Sequence, residues 1–142
     1  MADSPTEMTS PRDAAAESAR TERGLALMRE MLGEDLVSSI AARNTIAPDW
    51  HRWTTGVLFG DLWQGATLSR AQRGIITVAA LVPMSRGREL GNHLRAALVN
   101  GVTVEELVAV VCHVGFYGGW PAAGEALAIL RSVVDEQANG DE

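Results

Sequence analysis

Lysine is missing from the 142-residue chain altogether, and cysteine occurs once, as Cys112. The missing lysine reflects composition and decides nothing about mechanism. The lone cysteine excludes an intrachain disulfide and any CxxC pair, so the chain reads as one suited to a reducing compartment. Long apolar runs are also missing: Gly74 to Met84 and Leu107 to Tyr117 are the longest, well short of the roughly 20 residues that span a bilayer. The first residues, Met-Ala-Asp-Ser-Pro-Thr-Glu-Met, carry no basic start and no apolar run, so no secretory signal is expected and the predicted setting is soluble and cytoplasmic. There is no glycine-rich phosphate loop, no HExxH, no GxSxG and no period-two alternation of a strand. The histidines His51, His93 and His113 lack carboxylates at ligand spacing, so no metal site is expected.

A net charge of -6 argues against nucleic acid, whose binding needs clustered cations. The charge is unevenly spread. Between Trp50 and Thr103 the acids are Asp61 and Glu89, against Arg52, Arg70, Arg73, Arg86, Arg88 and Arg95. A locally cationic middle suits a small carboxylated ligand, because guanidinium forks match carboxylates in bidentate geometry. Taken one at a time, most of these arginines read as solvated surface groups.

Periodicity predicts an all-α fold of about six to seven helices in one domain. Residues 1–18, rich in Ser, Thr, Pro, Asp, Glu and Ala, are expected to form a disordered lead, residues 19–136 the domain and residues 137–142 an acidic tail. An amphipathic helix is expected from Arg20, a short turn over Leu36 to Ala42, and a helix from Pro48 to Trp63 whose tryptophans Trp50, Trp53 and Trp63 read as core or interface residues. Ser69-Arg-Ala-Gln72 is a capping box opening a helix to about Leu81, apolar nearly all round and expected to be the buried central helix. Ser85 is the expected cap of the next helix, which stops at Asn100-Gly101. Thr103-Val-Glu-Glu106 is a second capping box, Gly118-Gly119 breaks its helix, and Pro121 starts the last one.

Two titratable pairs stand at i,i+4 spacing, which puts each pair on one helix face, one turn apart. Glu89 and His93 lie among Leu90, Leu94, Ala97 and Leu98, so a polar pair there should border a cavity or an interface. Read blandly, it is a solvated pair worth a few tenths of a kcal/mol. His113 and Tyr117 follow Val110-Val-Cys112, where a structural or pocket-wall role is expected.

Leu68-Ser-Arg-Ala-Gln-Arg73-Gly-Ile-Ile-Thr-Val-Ala-Ala-Leu81, Glu89-Leu-Gly-Asn-His93 through Gly101 to Glu106, and His113 with Tyr117 and Pro121-Ala-Ala together resemble the γ-carboxymuconolactone decarboxylase family. The resemblance implies a helical fold shared with the alkylhydroperoxidase-D-like proteins, assembly as trimers or hexamers, and active sites near subunit contacts. Peroxidase relatives carry CxxC where this chain has Arg86 and Glu89, and without thiols that chemistry is not expected. The implied reaction is cofactor-independent. A carboxylate leaves the γ carbon of an unsaturated lactone and a dienolate forms, so the site must fix carboxylates, donate to the oxyanion and deliver a proton to the α carbon. His93 is then the proton donor or oxyanion stabiliser, and Glu89 orients it and raises its pKa. Arg73 and Arg86 are the carboxylate anchors, and His113 and Tyr117 are further donors. Departures at Arg88, Gly91-Asn92 and Gly118-Gly119-Trp120 keep open two alternatives: a paralogue acting on another lactone or oxo-carboxylate, and a non-catalytic oligomeric module that binds a small acid.

Overall fold

The computed structural model describes residues 11–140, and all regular structure in them is helical. The α-helices are α1 (Pro11–Leu32), α2 (Glu34–Ala42), α3 (Pro48–Arg52), α4 (Arg70–Leu81), α5 (Gly87–Val99), α6 (Val104–Gly118) and α7 (Trp120–Gly140). No helix among the described residues is long and apolar enough to cross a membrane.

Two compact units are present. The first takes the described residues up to Arg29 together with Asp35–Gln64. Here α1 begins at Pro11, earlier than Arg20: a proline at the first helical position, Asp13 in the first turn and the run Ala14-Ala-Ala all favour helix. The part of the expected lead covering residues 11–18 is therefore helical, and the remainder lies outside the described residues. Backbones come close where a Cβ placed on Gly24 would sit 1.7 Å from the Thr55 carbonyl oxygen, a contact only glycine permits. The expected single helix from Pro48 to Trp63 is instead α3, a π-helical segment Trp53–Phe59 and a 3₁₀ turn Leu62–Gln64. Thr54 and Thr55 donate hydroxyl protons to the carbonyls of Trp50 and His51, at 2.8 and 2.9 Å, within this widened stretch. Trp63 is buried and stacks on Phe59 at 6.0 Å. Trp50 and Trp53, by contrast, are exposed and line a cavity of about 380 Å³ with Val57 and Leu62.

The second unit holds Glu30–Glu34 and the chain from Gly65 onward. Its core is Val78, Val82, Leu90, Leu94, Ala97, Val102, Leu107, Val111, Ala123, Ala126, Leu130 and Val133. Helix α5 packs against α4 and α7, and α6 packs against the same two. Both capping boxes form. Ser69 accepts from the Gln72 amide and Thr103 from the Glu106 amide, with each N3 side chain reaching back. Helix α5 ends as a Schellman motif: Gly101 sits at φ +89°, its amide donates to Leu98 and that of Val102 to Ala97, both at 3.0 Å.

Three local expectations fail here. Helix α4 is not buried all round, because only Gly74 and Val78 are fully buried and Ile76 is 54 % exposed; the most enclosed helix is α5, through Leu90, Gly91, Leu94, Ala96 and Ala97. Ser85 does not cap α5, since it adopts a left-handed conformation at the end of a 3₁₀ turn and Arg86 takes the N-cap position without a side-chain cap. Helix α7 continues to Gly140, past the expected start of the acidic tail. Cys112 is partly buried in the middle of α6.

Candidate active site

Helix α5 carries the central pair. Leu90, Leu94 and Ala97 recur at helical spacing and turn one face into the core. Glu89 and His93 flank that face and are both partly buried. Glu89 also sits in the first turn of α5, where the unpaired amides of the helix end favour a carboxylate.

Burial pushes the His93 imidazole below the ordinary histidine range, and the Glu89 carboxylate pulls it only partly back. The net direction is downward, because withdrawal from water outweighs the Glu89 charge. Glu89 does act on His93 in the anticipated direction, but withdrawal from water is the larger effect, so the ring is neutral at pH 7.

Arg86 and Glu89 come together. With Gly87 and Arg88 they line a cavity of about 230 Å³ at the start of α5. No ion pair of Arg86 is formed among the described residues, which leaves its guanidinium available to an incoming anion. Arg88, named from the sequence only as a departure beside Glu89, joins the site directly. Its Nη2 donates to Glu89 Oε1 at 3.2 Å, and the visible signal was its adjacency to Glu89 in Arg86-Gly-Arg-Glu89. Glu125 of α7 also approaches, with an oxygen 3.8 Å from where a Cβ on Gly87 would lie.

Arg73 lies on α4, one of the helices against which α5 packs. Its Nη2 donates to the Gly65 carbonyl at 3.0 Å, while its buried Nε has no partner. His113 and Tyr117 form their pair on α6, with ring centroids 5.1 Å apart. That pair lies on the surface: Tyr117 is 83 % exposed, next to Phe116 at 82 %. No group of three or more His, Cys, Asp or Glu side chains that could hold a metal is present among the described residues.

A helical bundle presenting a carboxylate and a neutral imidazole one turn apart, beside an arginine-lined cavity, defines a protein equipped for acid–base work on a small anion. Residues 48–132, more than half of the chain, match the carboxymuconolactone decarboxylase family. The chain belongs to that family, as its motifs led us to expect. It is 34% identical over 115 residues to a 4-carboxymuconolactone decarboxylase of Acinetobacter baylyi, covering 80% of this chain and 86% of the relative. It is also 28% identical over 123 residues to the nitrosuccinic acid decarboxylase npaB of Metarhizium robertsii, covering 85% of each.

Proposed function

We propose that the protein is a cofactor-independent decarboxylase of a small unsaturated carboxylated lactone similar to 4-carboxymuconolactone, acting in the breakdown of aromatic acids. The observation that carries this reading is the Glu89–His93 pair on the core-packed helix α5, bordered by the Arg86 cavity. Membership of a family whose relatives bear decarboxylase names supports it.

The chemistry follows from charge. As the γ C–C bond breaks, its electron pair moves through the ring double bond to the lactone carbonyl and CO₂ departs. Arg86 holds a substrate carboxylate, and Arg73, on the adjacent helix α4, is the second anchor of the proposal. The His93 ring donates a hydrogen bond to the growing oxyanion, and Glu89 fixes its orientation. The dienolate then takes at its α carbon a proton drawn from solvent through the same imidazole.

Assembly into a homo-oligomer, a trimer or hexamer, is part of the proposal. The exposed cluster of Phe116, Tyr117 and Trp120 is the kind of apolar surface that subunit contacts cover. A neighbouring subunit would bring His113 and Tyr117 into a covered setting, where they act as further donors. Sedimentation analysis reads the assembly directly, and a monomer at micromolar concentration would remove that part.

The decisive assay supplies γ-carboxymuconolactone formed in situ and follows CO₂ and the enol-lactone by mass spectrometry. Turnover that survives His93→Ala in a folded protein would sink the assignment. A second reading, decarboxylation or another conversion of a different oxo-carboxylate, is favoured by the relative named for nitrosuccinic acid and by Arg88 beside Glu89. Nitrosuccinate offered in the same assay separates the two.

A further inference from the structure

The pair that Arg88 makes with Glu89 has no role in the chemistry above, yet it occupies the carboxylate assigned to orient His93. Three cationic or acidic groups meet at the start of α5: Arg86 and Arg88 line one cavity with Glu89, and Glu89 faces His93 one turn on. Arg88 is 78 % exposed, and a solvent-facing ion pair between adjacent residues is weakly held, so an incoming carboxylate displaces it easily. A carboxylate seated between two guanidiniums gains charge-assisted hydrogen bonds from both.

We propose that Arg88 is a positioning residue acting through Glu89: in the free protein its guanidinium shares the Glu89 carboxylate, and a substrate carboxylate entering between Arg86 and Arg88 takes that guanidinium away, leaving Glu89 to His93, which then takes up a proton from water. The inference rests on the decarboxylase reading for its consequence, because a proton stored on His93 upon binding is the proton the dienolate needs. The coupling itself rests on the Arg88–Glu89 contact, the shared cavity and the one-turn spacing of Glu89 and His93, together with the charge of Glu89 felt at His93. The balance is simple: one proton enters from solvent on binding, and one leaves to the α carbon after CO₂ has gone.

Burial holds His93 neutral in the free protein, and Glu89 is the charge that opposes this. Most charged groups on the packed helices are otherwise engaged. On α4, Arg73 is tied to the Gly65 carbonyl and Arg70 to Glu30. On α7, Glu136 is held by Arg95 and Asp135 by Arg131, while Glu125 stands by Gly87. Removing Arg88 from Glu89 is therefore the local change that strengthens the Glu89–His93 attraction.

The test needs no turnover. Histidine ring resonances of the full-length protein are followed against pH by NMR, with His93 assigned by loss of its signal in His93→Gln. Arg88→Gln should raise the His93 midpoint by about 0.5 in the absence of ligand, and Arg88→Lys should restore it. In a Glu89→Gln background, Arg88→Gln should move His93 much less. Succinate, added as a dicarboxylate probe until the Arg86 and Arg88 side-chain resonances saturate, should raise the midpoint in the wild type and leave Arg88→Gln unmoved. An unchanged midpoint in Arg88→Gln, an equal shift with and without Glu89, or succinate that fails to move His93 in the wild type overturns the proposal. Absence of CO₂ release with these titrations intact overturns the decarboxylase reading and leaves the coupling standing.

Discussion

Helices α5 and α6 each carry a titratable pair at the same i,i+4 spacing, and the structure treats them in opposite ways. Glu89 and His93 sit partly enclosed on a helix whose next residue, Leu94, is 0 % exposed; His113 and Tyr117 sit on a face whose member Phe116 is 82 % exposed. Spacing aligns two side chains, but it does not choose the medium around them. That medium comes from the neighbours. On α5 the core residues Leu90, Leu94 and Ala97 draw the flanking polar pair inward, whereas on α6 Leu107, Val111 and Gly115 are buried and the pair falls outside that row. A withdrawn imidazole is shifted and available for proton chemistry, and a solvated one is a surface group until something covers it.

The contrast predicts a ranking. His93→Ala should lower kcat/KM for decarboxylation by ~10³-fold, while His113→Ala should lower it less than about tenfold, both measured by CO₂ release. Equal losses would mean that enclosure within one chain is not what separates the pairs. Next in size, Leu94→Ala should destabilise the protein by about 3 kcal/mol through a core cavity, and urea unfolding would read it. Thr103→Ala, which removes the α6 cap but touches neither pair, should lose about 1 kcal/mol in the same experiment. The smallest effect is in pH. Because the folded-state pKa of His93 is lowered, the unfolded chain takes up that proton first as pH falls below about 6.5. The contribution is complete above that value and is lost as pH falls through the lowered folded value. His93→Gln should flatten stability in that window, and an unchanged slope would show that the ring is not withdrawn from water.

Much of the second unit was legible because its signals are local. Ser69 with Gln72, Thr103 with Glu106, and Asn100-Gly101 are decided within one turn, and each forms as read. The α4 core was misjudged for a reason that is not local: Ile76 is as apolar as its neighbours, and only the placement of α5 and α6 decides which side is covered. The Pro48 to Trp63 region was misjudged because a π-helical widening follows from packing at Gly24 and from threonine hydroxyls on carbonyls, neither of which alters hydrophobic period. At the site, the alignment of Glu89 with His93 was visible in the spacing. The sign of the shift on His93 was not, because it weighs a neighbouring charge against enclosure by residues distant in sequence.

Cys112 gives the molecule a built-in clock. As the chain's single thiol, partly buried in the middle of α6, it reacts with a disulfide reagent only as fast as its surroundings let the reagent in. The labelling half-time therefore times the breathing of α6 without any engineered probe.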